Sequence, residues 1–351
     1  MNLNELRLRD YAPVPAVRRP LTSVPRASVP AVDVHNHLGR WLGGGDWLIP
    51  DVGALLGLME EVGVRTVVNL DGRWDAELDA NIARYDQAHP GRFLTFCHLD
   101  WSLLRGPDPT GALIAALHRA RDAGARGVKV WKDLGLSVTD AGGTRVLPDD
   151  PRLAGVFAAA GELGLPVLIH TADPIAFFGP LDGSNERLEE LAENPDWWFG
   201  APGHPTFDRL MRALETVVAD APGTTFIGAH VGCAAEDLGW VDGMLRRYPN
   251  FHVDLGGRLA ELGRRPRATR RLILDHPDRV LFGSDAFPAT REAYEVYWRF
   301  LETEDECFPY APGTRVPPQG RWDISAAGLP PDVLPSVYAG NARRLLGLSE
   351  R

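Results

Sequence analysis

Cysteine is scarce in this 351-residue chain: Cys97, Cys233 and Cys307 are the only three. Their number and spacing rule out a disulfide framework and a zinc-knuckle pattern, and fit a reducing compartment. Long apolar runs are missing too, since no stretch approaches the roughly 18 residues a membrane-spanning helix needs. The opening segment, MNLNELRLRDYAPVPAVRRP, carries charges and prolines where a secretory signal needs an apolar core. A soluble, non-exported, cytoplasmic protein with no membrane partner is expected. No block of like charge occurs, and 37 Lys plus Arg against 47 Asp plus Glu leave a net charge of −10. That balance disfavours nucleic acid as a partner without excluding a small anionic substrate. No GxGxxG follows the first apolar run, and neither GxxxxGK[ST] nor GxSxG occurs, so nucleotide fingerprints and the nucleophile elbow are absent. What remains is an ordinary globular composition, 44% hydrophobic and 24% charged, able to bury a sizeable core. Gly 37, Pro 29 and Trp 10 are high for a core alone and point to elaborate loops.

Eight short apolar runs recur along the chain, each followed by a polar or Gly/Pro loop. They cover residues 31–37, 65–72, 92–100, 125–133, 165–173, 224–230, 250–257 and 278–285. Helical periodicity lies between most of them, from Val52, Glu77, Thr110, Pro151, Leu210 and Leu238. Eight strands that read as nearly continuous apolar runs, alternating with helices, predict a (β/α)8 TIM barrel of α/β class. The Pro- and Arg-rich residues 1–30 form an extended N-terminal arm in this reading, and residues 31–351 a single barrel. One connection, about 172–207, is too long and too aromatic for a simple βα loop, so a lid or pocket wall after strand 5 is expected.

Histidines and carboxylates fall at strand ends. Asp33, His35 and His37 alternate along the first run, which by period two puts all three on one face. His170 ends the fifth run, His230 the sixth, and Asp285 follows the eighth. Burying any one of them alone would cost several kcal/mol, whereas one divalent cation satisfies all together. Imidazoles plus a carboxylate suit Zn2+ best, with Mn2+, Fe2+ or Co2+ as alternatives and one or two ions. Lys129 shares a face with Trp131 at the fourth strand's end, while Lys132 has the opposite parity. Arg258 and Arg73 are candidates for holding a substrate carboxylate. Trp41 and Trp47 flank Gly43–Gly45, and with Trp197, Trp198 and Phe199 they could wall a pocket for a planar molecule or simply pack. Asp100, Trp101 and Asp254 read as supporting residues. Cys233 sits too far past its strand to pair with His230 as a nucleophile.

DxHxH on strand one, His on strands five and six and Asp on strand eight resemble the amidohydrolase superfamily. The resemblance is to its amidohydrolase-related branch, which includes the aminocarboxymuconate-semialdehyde and resorcylate decarboxylases. It runs from Val32 to the NARRLLGL segment beginning at Asn341. It implies His35, His37, His170 and Asp285 as metal ligands, and His230 as a second-metal ligand or a catalytic acid/base. Lys129 is implied as a carbamylated metal bridge in two-metal members and as a pocket residue in others. The implied activity is hydrolysis, with a metal-activated water attacking an amide, lactone or ester-like bond of a small molecule and Asp285 and His230 as catalytic groups. The alternative is metal-dependent non-oxidative decarboxylation of a carboxylated or aromatic substrate, and a weaker one is a non-catalytic metal-binding module. A homo-oligomer is compatible with all three.

Overall fold

Each apolar run carries one strand of the computed structural model, which describes residues 3–20 and 22–349. The strands are β1 (Ala31–Asn36), β2 (Val64–Asn69), β3 (Phe93–Thr95), β4 (Val128–Val130), β5 (Val167–Ile169), β6 (Phe226–Gly228), β7 (Phe251–Asp254) and β8 (Val280–Leu281). All pairings are parallel, in the orders β1-β2-β3 and β4-β5-β6-β7-β8. Two seams join these sets. Lys129 donates its amide to Cys97 O at 2.7 Å between β3 and β4. Between β8 and β1, Val34 donates to Phe282 O at 3.0 Å and Asp285 to His35 O at 2.8 Å. The sheet thereby returns on itself as a (β/α)8 barrel.

Val32, Val34, Val68, Leu70, Leu94, Phe96, Leu168, Ile227 and Leu281 fill the barrel interior. A larger apolar layer packs between the strands and the surrounding helices. Fully burying such a side chain contributes about 1.5–3 kcal/mol. The helices begin where short polar side chains can cap them: Asp51, Asp108, Asp150, Thr206, Asp237 and Thr290 each accept from a first-turn amide. All six helical signals correspond to helices. Those at Pro266–Asp275, Arg291–Glu302 and Asn341–Leu346 lie beyond them.

The expectation for β1 is corrected in one respect. Its pairing with β2 runs Asp33↔Val67 and then Asn36↔Asn69, so β1 carries an irregularity between Asp33 and Asn36. A bulge of this kind re-aims the side chains beyond it. Val32 and Val34 face the barrel interior, while Asp33 turns to the outer layer. There it accepts from the Tyr294 hydroxyl at 2.9 Å and from Ser284 Oγ at 2.6 Å. His35 and His37 are swung into the mouth without Asp33.

Residues 171–206, between β5 and the helix Phe207–Asp220, contain short helical pieces at Ile175–Phe178, Leu188–Glu193 and Pro195–Trp197. A second long segment, 303–328, crosses the same end of the barrel. The two are tied together by Arg321, which grips both oxygens of Glu189 at 2.6 and 2.7 Å. Beneath that contact Arg187, 1% exposed, pairs with Glu190 at 2.5 Å and with Glu261. The N-terminal segment follows 303–328 through Arg19–Asp323 at 2.6 Å and Arg321 to Leu8 O at 2.8 Å.

Candidate metal centre

Three imidazoles in the barrel mouth each have one ring nitrogen held by a carboxylate. Asp254 Oδ2 lies 2.9 Å from His35 Nδ1, and Asp71 Oδ1 lies 2.7 Å from His37 Nδ1. Asp173 Oδ1 lies 3.2 Å from His170 Nε2. The opposite nitrogens, His35 Nε2, His37 Nε2 and His170 Nδ1, are buried without a hydrogen-bond partner, and so is Lys129 Nζ. A buried polar atom left unpaired costs about 1–3 kcal/mol. The three bare imidazole nitrogens at one mouth are the kind of donor set that a divalent cation would satisfy together. Carboxylate-supported imidazoles are also how metal-binding histidines are normally fixed in tautomer and direction.

Asp285 completes the set. Its Oδ1 stands 3.5 Å from both His35 Nε2 and His37 Nε2. The three residues offer ligand atoms that all lie within 4.8 Å of one another. His170 is outside that triplet and approaches beside His230, with ring centroids 4.5 Å apart. His230 places its Nδ1 2.7 Å from Gly256 O, which directs Nε2 away from that contact, and its backbone amide donates to Asp254 Oδ1 at 2.9 Å. Both His230 and Asp285 have positive φ, 57° and 54°, a conformation that non-glycine residues adopt at a cost and that clusters at functional sites. A nitrogen- and oxygen-donor set of this kind fits a divalent ion such as zinc or manganese.

The electrostatics favour neutral ligands. Burial, reinforced by neighbouring cations, holds His35 and His230 well below the usual imidazole range. Burial takes His170 down to about 3. Uncharged imidazole is the metal-binding form. Burial also lowers Lys129 to about 8, against the opposing pull of Asp254 and Asp285. A lysine so placed has an appreciable neutral fraction near physiological pH.

Trp131 lies at the centre of the pocket wall. Its ring is 5.5 Å from His37, 5.4 Å from His170 and 5.1 Å from Trp41. Arg258 is buried at 8% exposure, and the acceptor it reaches is Gly257 O at 2.9 Å; among the described residues it has no ion-pair partner. Arg73 is placed differently, its guanidinium lying 4.6 Å from the Trp41 ring and 4.1 Å from the Trp74 ring. Trp47 is away from the mouth, against Tyr85 and below Arg40 and Arg84. Within the insertion, Trp198 donates to Gly179 O at 2.9 Å and Phe199 packs on Phe178, so these two aromatics serve the insertion itself. Cys233 accepts from the Thr171 amide at 3.4 Å, and burial pushes its thiol up to about 11, away from nucleophilic use.

Lys132 also belongs to the site, contrary to its strand parity. The chain leaves β4 at Val130 and turns helical at Lys132, so alternation no longer applies, and its Nζ reaches Asp173 Oδ2 at 2.6 Å. Asp71, Asp173 and Phe287 are candidate-site residues that strand ends alone do not single out. Asp71 carries the same signal as the histidines, an ionisable residue directly after an apolar strand. Asp173 follows His170 by three residues. Phe287, two residues beyond Asp285, sets its ring 5.0 Å from His37.

Comparison with known proteins adds the family context. A family model described as amidohydrolase matches residues 32–348. No curated protein matches the chain. Among solved structures, 2,6-dihydroxybenzoate decarboxylase from Rhizobium is 18% identical with a TM-score of 0.57, over 91% of this chain and 99% of that one. A dihydroxybenzoic acid decarboxylase from Polaromonas sp. JS666, with bound manganese and the inhibitor 2-nitroresorcinol, is 15% identical with a TM-score of 0.56, over 92% and 98%. An amidohydrolase from Burkholderia multivorans with bound zinc is 16% identical with a TM-score of 0.54, over 92% and 100%. At these identities the likeness is one of fold.

Proposed function

Because the chain belongs to the amidohydrolase family, we propose that it is a metal-dependent enzyme acting on a small, planar, carboxylated molecule at the mouth of its barrel. The observation that carries this reading is the set of buried, unpaired atoms on His35, His37, His170 and Lys129 beside Asp285. His35, His37, His170 and Asp285 are assigned as the ligands of one ion. His230, and Lys129 if carbamylated, would add a second. The manganese and zinc in similar structures support a divalent ion without choosing between them.

When bound, such an ion supplies Lewis acidity and makes water a far stronger acid. The protein's own groups do the rest. Asp285 is within reach of the ligand cluster and partly open to the pocket, so it can take a proton from an attacking water and return it to a leaving group. His230 stands beside it, with Nδ1 3.8 Å from Asp285 Oδ2; its Nδ1 hydrogen goes to Gly256 O, which leaves the bare Nε2 to take up a proton and pass it on. Trp131, Trp41 and Phe287 confine a flat substrate, and Arg258 supplies a buried positive charge for a carboxylate. These roles describe hydrolysis of an amide, lactone or ester-like bond.

A second reading, non-oxidative decarboxylation, is favoured by the decarboxylases of dihydroxybenzoates among the similar structures and by the aromatic wall. There the substrate's carboxylate leaves as carbon dioxide, and a proton taken up from water by Asp285 or His230 replaces it on carbon. Oxygen-18 water separates the two: label in the organic product supports hydrolysis, whereas carbon dioxide release with no label in the organic product supports decarboxylation. The site assignment is tested by metal content. Purified protein should hold stoichiometric divalent metal and His37→Ala should lose it; equal binding by the variant overturns the assignment. The chain has only two lysines, Lys129 and Lys132, so intact-protein mass measured under native conditions would register a carbamyl group with little ambiguity.

A further inference from the structure

His35 and His37 give their Nδ1 atoms to carboxylates and keep Nε2 free, but His170 is turned the other way. Its Nε2 faces Asp173 Oδ1 at 3.2 Å, and its Nδ1 is the buried atom without a partner. The second oxygen of Asp173 lies 2.6 Å from Lys132 Nζ. Lys132 in turn lies 5.2 Å from the ring of Trp197, which stacks on Phe177 within the insertion. Both side chains of the ion pair are largely buried, at 17% exposure for Lys132 and 6% for Asp173.

We propose that Asp173 and Lys132 are a positioning pair that makes Nδ1 the ligand atom of His170 and ties that orientation to the insertion wall at Trp197. This rests on the metal-centre reading above. An ionised carboxylate can only accept, so it selects the tautomer with the proton on Nε2 and leaves the Nδ1 lone pair free. A buried carboxylate needs a counter-charge to stay ionised, and Lys132 provides it. Trp197 covers the ammonium through its ring face, a cation–π contact. The packing of the insertion therefore bears on the lysine that sets the ligand's direction.

The pair has a readout independent of catalysis. In metal-free, histidine-15N-labelled full-length protein, NMR should show His170 protonated at Nε2 and bare at Nδ1. Protonation at Nδ1 would overturn the proposal even if no variant folded. Cobalt titration against a competing chelator gives the second measure. Asp173→Asn, whose amide can donate to Nε2, should weaken Co2+ binding by about 10- to 100-fold, the usual effect of losing an outer partner of a ligand. Lys132→Met should weaken it by less, with recovery in Lys132→Arg. Thermal melting and circular dichroism show whether each variant keeps the fold. Wild-type affinity in folded Asp173→Asn would overturn the proposal. Failure of wild-type protein to bind cobalt would overturn the metal centre instead, and the NMR result would still decide the role of Asp173.

Discussion

At the scale of single residues, the candidate site depends on side chains that touch no substrate. Asp71 is fully buried, and burial would raise its carboxyl, but His37 and the surrounding donors outweigh this and hold it below the usual carboxylate range. It therefore accepts from His37 Nδ1 as an anion and leaves Nε2 for an ion. Asp71→Ala should lower divalent-metal affinity by about 10- to 100-fold, measured by chelator competition. Unchanged affinity would remove Asp71 from this role. The same residue shows why a strand-end carboxylate is an ambiguous signal. Histidines attract notice as ligands, whereas an aspartate at a strand end is equally consistent with a cap, and only its 2.7 Å approach to His37 separates the two.

Elements meet closely at the mouth because glycine stands where they cross. A Cβ built on Gly283 would lie 2.9 Å from His35 Cβ and 3.3 Å from Asp254 Cβ. Gly283→Ala should push His35 and its supporting carboxylate apart, reducing metal affinity at least tenfold with little change in secondary structure; circular dichroism and metal titration check both halves. The insertion is likewise an element-scale matter. Arg187 joins residues of the insertion to Glu261 after β7 through a buried ion pair. Breaking a buried pair by removing one partner costs about 3–5 kcal/mol because the other charge is left uncompensated. Arg187→Met should therefore lower denaturation stability by that order, and a loss under about 1 kcal/mol would mean the insertion is held by other contacts. Such anchoring favours a fixed wall over a freely swinging lid.

Over the whole molecule, buried imidazoles make stability depend on pH. His35, His98, His170, His230 and His252 are all depressed by burial, His98 to about 3 and His252 to about 4. Unfolding releases them to about 6.5, so below that pH the unfolded chain binds more protons and gains ground. Asp133, raised by burial to about 6, works in the opposite sense between its unfolded value of about 4 and pH 6. Burial raises Asp33, Asp86, Glu190, Glu236 and Asp254 as well, but the imidazoles, whose unfolded value of about 6.5 lies inside this window, dominate between pH 7 and 5. The melting temperature of metal-free protein should accordingly fall as pH drops from 7 to 5, and a flat or rising profile would contradict the assigned burial. A bound ion withdraws ligands from this equilibrium and stabilises by mass action, so chelator should lower the melting temperature of the loaded protein.

The barrel and most of its candidate ligand positions were legible because they depend on local order along the chain. Apolar runs buried on both faces repeat eight times, and His35, His37, His170, His230 and Asp285 each stand where a run ends. Such patterns follow from backbone periodicity and the cost of burying an unpaired polar group. What the tertiary structure decided lies between segments distant in sequence. The bulge that turns Asp33 away from His35 is a matter of register with β2. The partner of each imidazole comes from another strand or loop: Asp254 for His35, Asp71 for His37, Asp173 for His170. Trp47 and Trp131 look alike in sequence, yet one packs on Tyr85 and the other faces His37. Periodicity tells which way a side chain leaves its own strand. Which nitrogen of an imidazole stays free depends on what the rest of the fold brings against the other one.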